Sequence, residues 1–321
     1  MMSDTKPLTP ASGVSLRAPL VIVDGFLPRE LAMAMREDID AHFAEPGAHR
    51  ADTHQVWNYW FVPELYTYLR TTPEKVIRRD RVDGFMDALR TWSTDALGMG
   101  DVTWPYLSLY VGGCRQGLHN DARNGRFAFV YSLTRDQRRT VGGETLVFRE
   151  EDPFRSKLAE ASAGRHFYDT IAPKFNRLIV FDDRLPHGVE RIEGSMDPVE
   201  GRFVLHGHLA ETGIIDGALP TEVVQEALVT LTADFDARYL AHIALYHGLL
   251  VLRFVVSPAG SVATCEILVD RVMHADPGHS EWEALRGEIV SRVRSLKFPS
   301  AEGETMVTLP LSFGKRLTGT G

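Results

Sequence analysis

The amino-acid sequence predicts a mainly β protein, a sandwich or jelly roll that follows N-terminal helices and precedes a small α+β unit. The first observation is a series of short β-type runs separated by turns rich in Gly, Asn, Asp and Pro. These runs cover residues 106–111, 127–133, 144–148, 177–181 and 202–209. The second is helical periodicity before this region, and the third is a strand, hairpin, helix and strand order after it.

The region before residue 100 is predicted to contain one short strand and two helices. The strand covers 20–23, and apolar residues recur at near-helical spacing over 29–45 and again over 81–97. The segment between the helices is dense in aromatic residues, from Trp57 to Tyr68. We interpret these aromatics as core and helix-packing residues. The alternative is a lid or wall of a substrate pocket.

The end of the chain predicts a small α+β unit. A long helix over 221–246 comes first, after a stretch that contains Gly and Pro. A hairpin signal, Pro-Ala-Gly-Ser, then joins two predicted strands, and an amphipathic helix and a final strand follow. These four elements cover 249–256, 262–269, 281–297 and 304–313.

The chain has 321 residues, which fits two domains at about 100–200 residues each. We divide it at the changes of pattern. Residues 18–212 form the first domain, 213–247 form a linker with a helix, and 248–316 form the α+β domain.

Composition excludes several classes of function. Hydrophobic residues make up 44% of the chain and charged residues 24%, as in ordinary globular proteins. The net charge is −8 and no run of Lys or Arg is visible, so we expect neither nucleic acid nor a membrane as a partner. Two cysteines, Cys114 and Cys265, are too few for a Cys-rich zinc site, an iron–sulfur cluster or a disulfide framework. No secretory signal is visible, and we expect a cytoplasmic location.

Three residues have the types and spacing of a metal site. His119 and Asp121 are two positions apart, so in an extended segment their side chains point to the same side. His187 follows the predicted buried strand over 177–181. Two histidines and a carboxylate make the facial triad of non-haem Fe(II) oxygenases. The alternatives are a solvated surface turn for the first pair and a capping or core histidine for His187.

The last β-type run of the central region alternates strictly between two faces. Arg202, Val204, His206 and His208 face one way, and Phe203, Leu205 and Leu209 face the other. If the first face is buried, Arg202 needs an anion, and its planar fork suits a carboxylate. The alternative is a strand residue that faces solvent.

In their order and spacing these residues resemble the prolyl-hydroxylase-like Fe(II)/2-oxoglutarate-dependent oxygenases. That family shows Tyr-x-x-Gly, His-x-Asp, Gly-Gly-Glu, a distal His, and Gly-Arg before the last core strand. The matching segments here are Tyr110 to Gly113, His119 and Asp121, Gly142-Gly143-Glu144, His187, and Gly201-Arg202. The resemblance covers roughly residues 18–210 and implies a double-stranded β-helix with N-terminal helices.

The resemblance also implies a reaction and its cofactors, which are Fe(II), 2-oxoglutarate and O2. Catalytic metal ligands would be His119, Asp121 and His187, and 2-oxoglutarate would contact Arg202 and Tyr110. The chain departs from the family after the arginine, so His206 would replace a hydroxyl as a further 2-oxoglutarate contact. The expected reaction is hydroxylation of a C–H in a peptide or amino-acid side chain, with release of succinate and CO2.

Three alternatives to this function stay open. The jelly roll could be a non-catalytic binding module, a small-molecule oxygenase that acts on natural products, or a metal-dependent enzyme that does not use 2-oxoglutarate.

A separate resemblance links the end of the chain to the C-terminal domain of TonB-type energy transducers and their AgmX-like relatives. It implies a peptide or protein partner that adds a strand to an edge of this domain. The alternative is a folded appendage.

Overall fold

The computed structural model describes residues 20–44, 56–121, 126–135, 139–148, 167–243, 245–274 and 281–314. Within these ranges the chain separates into two compact units. The first comprises residues 20–90 and 102–210, and the second comprises 91–101 and 211–314. The ends of the predicted domains, 18–19 and 315–316, lie outside the described residues. The predicted domain boundaries themselves stay a prediction.

Two helices and a series of short strands precede residue 211, together with two short 3-10 turns, Pro73–Lys75 and Pro198–Glu200. The helices and strands are β1 (Leu20–Asp24), α1 (Arg29–His42), β2 (Asn58–Val62), β3 (Tyr66–Thr71), α2 (Arg79–Leu97), β4 (Asp101–Val102), β5 (Tyr106–Tyr110), β6 (Arg115–His119), β7 (Phe127–Ser132), β8 (Thr140–Val141), β9 (Thr145–Phe148), β10 (Tyr168–Ile171), β11 (Arg177–Asp182), β12 (His187–Val189), β13 (Glu193–Gly194) and β14 (Arg202–Ala210).

One curled antiparallel sheet contains most of these strands. Its order is β1–β11–β7–β14–β5–β3–β6–β12–β9–β10, with β2 on β3 and β4 on β14, while β8 and β13 form a separate pair. β3 pairs with β5 through residues 69–71 and with β6 through residues 66–67. The sheet therefore passes from one layer to the other through β3. The predicted mainly β jelly roll is confirmed.

Strand β14 turns the alternation of the sequence into two different faces. Phe203 lies on the outer face, where its ring centroid is 6.1 Å from that of Phe43 and 6.3 Å from that of Trp57. Arg202 and His206 lie on the inner face and line a cavity. Each buried large apolar side chain contributes about 1.5–3 kcal/mol to the free energy of unfolding. The outer face therefore stabilises the fold, and the side chains of the inner face are available to contact a ligand.

The second unit contains a four-stranded antiparallel sheet and two helices, and it confirms the predicted small α+β unit. Its elements are β15 (Ile214–Gly217), α3 (Thr221–Ile243), β16 (Tyr246–Val256), β17 (Val262–His274), α4 (Trp282–Ser295) and β18 (Thr305–Phe313), and the strand order is β15–β18–β16–β17. Leu285, Ile289 and Val293 of α4 are buried in the core of this unit. Its likeness to the TonB-type domain stays a prediction.

Residues 214–217 differ from the sequence interpretation, which put them in a linker. They form β15 and pair with β18, from Ile214 opposite Thr308 to Gly217 opposite Thr305. Four residues are too short for a recognisable alternation, so only the pairing with a distant strand reveals this element. No helix in the described parts of the chain is both long and apolar enough to span a bilayer.

Candidate active site

The three predicted metal ligands meet where β6 ends and β12 begins. His119 and His187 lie opposite each other in the antiparallel pairing of these strands, with ring centroids 4.3 Å apart. Asp121 follows β6 by two residues, and its backbone N–H donates to the Asp183 carbonyl at 2.9 Å. Its Oδ2 lies 3.5 Å from Nε2 of His187 and 3.8 Å from Nε2 of His119. One ligand atom from each of the three residues lies within 4.8 Å of the other two.

Both imidazoles are oriented by backbone carbonyls. Nδ1 of His119 is 2.9 Å from the Gly117 carbonyl oxygen, and Nδ1 of His187 is 2.9 Å from that of Leu185. A carbonyl oxygen only accepts hydrogen bonds, so each Nδ1 carries the hydrogen. Each Nε2 therefore points toward Asp121. This is the orientation that outer hydrogen bonds give to histidine metal ligands.

A glycine allows the two strands to approach this closely. A Cβ atom at Gly188 would lie 2.6 Å from the Gln116 carbonyl oxygen on β6. Any side chain here would push β12 away from β6 and would separate the two histidines. We therefore connect the backbone of β12 directly with the geometry of the metal-ligand group.

The charges of this group suit a divalent cation. Burial lowers the pKa of His119, and the neighbouring His187 lowers it further, so its imidazole is neutral at pH 7. Burial alone would raise the pKa of Asp121. The hydrogen bond to His187 and the nearby imidazoles outweigh that effect and bring the pKa to about 2. Neutral imidazole nitrogen and ionised carboxylate oxygen are the donors that Fe(II) takes in facial-triad sites.

A fourth side chain, His208, reaches the same carboxylate and was missing from the predicted site. Its Nε2 lies 3.8 Å from Oδ2 of Asp121, and its Nδ1 lies 3.9 Å from Oδ2 of Asp183. Burial, followed by the charges of Asp182 and Asp121, raises the pKa of Asp183 to about 7. The alternation of β14 already pointed His208 inward. That alternation is the signal that could have identified it.

Arg202 is buried across the same cavity and is 1% exposed. Its Nη2 donates to Oγ1 of Thr145 at 3.0 Å, and its Cζ lies 4.8 Å from the centre of the Tyr110 ring. Among the described residues, Nε and Nη1 have no hydrogen-bond partner although both atoms are buried. Burial lowers the pKa of this guanidinium, but an arginine stays charged in proteins. Two unmatched donors on a buried cation fit a carboxylate that arrives from solution.

The other two predicted co-substrate contacts also line the cavity. The Tyr110 hydroxyl donates to Oε1 of Gln116 at 3.1 Å, and burial raises the pKa of this tyrosine. His206 lies two positions along β14 from His208, and its Nε2 is 2.8 Å from Oγ of Ser108. Burial, then the cations around it, lowers the pKa of His206 to about 3, so the imidazole is neutral. Arg202 and Tyr110 are paired in register, whereas His206 lies opposite Tyr106.

The cavity has a volume of about 510 Å³, and all six predicted site residues line it. The hairpin of β2 and β3 contributes Trp60, Tyr66 and Tyr68 to its wall. Tyr59 and Phe61 on the same hairpin are 62% and 59% exposed, so the interpretation of this segment as core is wrong for them. The alternative interpretation, a pocket wall, describes Trp60, Tyr66 and Tyr68.

Comparison with known proteins relates the central part of the chain to a family. Residues 106–209 match the 2OG-Fe(II) oxygenase superfamily. The match supports an oxygenase and implies Fe(II), 2-oxoglutarate and O2 as its cofactors, and a His–Asp–His group suited to the metal is present. No curated protein matches the chain.

Several solved structures are similar to part of the chain. A prolyl hydroxylase from Trichoplax adhaerens, in complex with a hypoxia inducible factor oxygen degradation domain peptide fragment, is 14% identical over 59% of this chain and 81% of that chain, with a TM-score of 0.43. A Pseudomonas putida prolyl-4-hydroxylase is 18% identical over 63% of this chain and 94% of that chain, with a TM-score of 0.43. A viral collagen prolyl hydroxylase from Paramecium Bursaria Chlorella virus-1 is 13% identical over 60% and 97%, with a TM-score of 0.37.

Proposed function

We propose that the predicted domain over residues 18–212 is an Fe(II)/2-oxoglutarate-dependent hydroxylase. In this proposal His119, Asp121 and His187 bind the iron, and Arg202 binds a carboxylate of 2-oxoglutarate. The observation that carries it is the guanidinium of Arg202, which is buried with two unmatched donors and lines the same cavity as the His–Asp–His group. A binding module without a small anionic ligand has no use for such a cation, because burial of an unpaired charge is costly.

The charges of the proposed ligands explain how the co-substrate is attracted. Two neutral imidazoles and one carboxylate leave a divalent ion with a net charge of +1, and Arg202 adds a second positive charge. When bound, Fe(II) supplies the oxygen chemistry, in which 2-oxoglutarate leaves as succinate and CO2. Thr145 holds Arg202 in position through its hydroxyl. Apolar residues such as Phe181 and Val189 line the cavity and limit the access of water.

The substrate in this proposal is a peptide or amino-acid side chain that is hydroxylated at a C–H bond. Support comes from the prolyl-hydroxylase-like order of motifs along the chain. A small-molecule oxygenase has the same iron and co-substrate site, so only the choice of substrate separates the two. His206 is assigned as a further contact for 2-oxoglutarate because it is neutral and lines the cavity.

For the second unit we propose a role in binding a peptide or protein partner. β17 is the last strand in the order of its sheet, and within the described residues no other strand pairs with its outer edge. Such an edge can accept an added strand. The cytoplasmic location stays a prediction.

The test of the oxygenase proposal is an anaerobic titration of the full chain with Fe(II) and then 2-oxoglutarate. We expect a weak visible absorption band when both are bound, and its loss in Asp121→Ala. Asp87→Ala is the matched control, because Asp87 is an exposed carboxylate on α2. A wild-type protein that binds neither component, or a band that persists in Asp121→Ala, would contradict the proposal.

A further inference from the structure

A second arginine, Arg70 on β3, lines the cavity and is not used by the proposed iron or 2-oxoglutarate sites. Its Cζ lies 3.6 Å from the centre of the Trp60 ring and 4.0 Å from that of Tyr106. Among the described residues, no carboxylate forms an ion pair with it. A guanidinium over aromatic faces keeps its N–H donors in its own plane, where a planar anion can accept two of them.

Arg70 and Arg202 contact different positions along β5. Arg202 lies over Tyr110 and Arg70 lies over Tyr106, and these tyrosines are at opposite ends of β5. Four residues of an extended strand span about 13 Å. A small dicarboxylate that has one carboxylate at the metal ligands has one carboxylate left. That carboxylate needs only one of the two arginines.

The part of the cavity around Arg70 borders the metal-ligand group. Tyr106 lies opposite His206, and His208 comes two positions later on the same face of β14. Nε2 of His208 is 3.8 Å from Oδ2 of Asp121. A molecule held by Arg70 would therefore lie close to the metal-ligand group.

No carboxylate among the described residues that line the cavity is left to pair with Arg70. Asp121 is the only carboxylate among the described residues that line the cavity, and it belongs to the metal-ligand group. The two carboxylates of 2-oxoglutarate would go to the metal and to Arg202. The positive charge of Arg70 then remains, beside the partly exposed ring of Trp60.

We propose that Arg70 binds a carboxylate of the organic substrate, so that this oxygenase acts on acidic substrates. The inference rests on the proposed function and adds the chemical class of the molecule that is oxidised. The carboxylate belongs either to a free organic or amino acid or to the end or side chain of a peptide. Trp60 and Tyr106 hold the guanidinium in place and offer an apolar surface to the rest of the substrate.

The test measures binding, without turnover, to the full chain loaded with Fe(II) and 2-oxoglutarate in the absence of oxygen. Calorimetry compares matched probes, phenylacetate with phenylacetamide, and the peptide Ala-Phe-Ala as free acid with its C-terminal amide. We expect at least one acid to bind about tenfold or more tightly than its amide, as for a charge-assisted bidentate pair. The pair that shows the preference tells a free acid from a peptide.

Substitutions assign this preference to Arg70. In Arg70→Gln the acid and the amide should bind within about twofold of each other, and Arg70→Lys should keep part of the preference. Arg79→Gln is the matched control, because Arg79 also lies over a tryptophan, Trp104 at 4.3 Å, but is paired with Asp83 at 2.9 Å. The affinity for 2-oxoglutarate should stay the same in Arg70→Gln.

Three results would overturn the inference. They are equal or absent binding of acids and amides by the wild type, a preference that survives in Arg70→Gln, and a loss of 2-oxoglutarate affinity in that variant. The last result would assign Arg70 to the co-substrate. If Fe(II) and 2-oxoglutarate bind normally in these experiments, such failures concern only the substrate class. If they do not bind, the proposed function fails as well.

Discussion

Two fully buried arginines lie on opposite faces of β14, and they differ in how their donors are matched. Arg36 of α1 lies over the ring of Phe203 on the outer face and is 0% exposed. Its Nε donates to Oδ1 of Asp40, and its Nη1 and Nη2 donate to backbone carbonyls. Arg202 on the inner face is 1% exposed and donates to Thr145 alone among the described residues. A buried arginine with a complete set of acceptors stabilises the fold, whereas one with an incomplete set is available to a ligand.

Among the substitutions that test this comparison, Arg36→Leu is expected to have the largest effect, a loss of stability. The substitution removes a buried cation and leaves two carbonyls without their donor, while Asp40 keeps its ion pair with Arg135, so it should lower the free energy of unfolding by about 3–5 kcal/mol. Urea denaturation measures the loss. Arg79→Leu, which breaks an exposed pair on α2, should lower the same free energy by only about 0.3–0.5 kcal/mol. Equal losses in the two variants would contradict the structural role of Arg36.

Arg202→Leu should have the opposite profile. We expect the affinity for 2-oxoglutarate to fall by about 2–5 kcal/mol, since a buried charge pair loses one partner. The free energy of unfolding without ligand should not fall, because the variant removes an incompletely paired buried charge. Anaerobic titration and urea denaturation check the two parts. A destabilised protein that still binds 2-oxoglutarate would show that Arg202, like Arg36, stabilises the fold and does not bind the co-substrate.

Thr145→Val should have the smallest effect. It removes the hydroxyl that Arg202 donates to and keeps the shape of the side chain. We expect 2-oxoglutarate to bind more weakly by about 0.5–1.5 kcal/mol. Thr145→Ser retains the hydroxyl and should bind as the wild type does. If Thr145→Val lost as much affinity as Arg202→Leu, the hydroxyl itself would contact the co-substrate.

The inner face of β14 could be predicted from the sequence because a strand has a strict period of two. That period alone identifies Arg202 and His206 as inward-facing residues, and it applies equally to His208. The same rule places His119 and Asp121 on one side of their segment. These predictions depend on neighbours along one strand, where local geometry decides which way a side chain points.

Contacts between distant segments could not be predicted in the same way. The position of His187 opposite His119 depends on the register of two strands far apart in sequence. The sequence could not distinguish the exposed Tyr59 and Phe61 or the cavity-lining Trp60 from core residues, because a buried core and a pocket wall have the same aromatic composition. Only the pairing of β3 with β5 and β6 distinguishes them. Arg70 escaped notice for the same reason, since its aromatic neighbours come from β2 and β5.

The two imidazoles that are tied to the carbonyls of Gly117 and Leu185 have a practical consequence for handling the protein. Neither ring has to turn before an ion binds. The site therefore does not discriminate among first-row divalent ions through a cost of rearranging its ligands. Intrinsic affinities for such donors rise from manganese through iron and cobalt to nickel and copper. The metal that binds then depends on which divalent ions are available in the cell that produces the protein. An inactive preparation should therefore be stripped of bound metal and reloaded with ferrous salt under argon before the protein is concluded to lack activity.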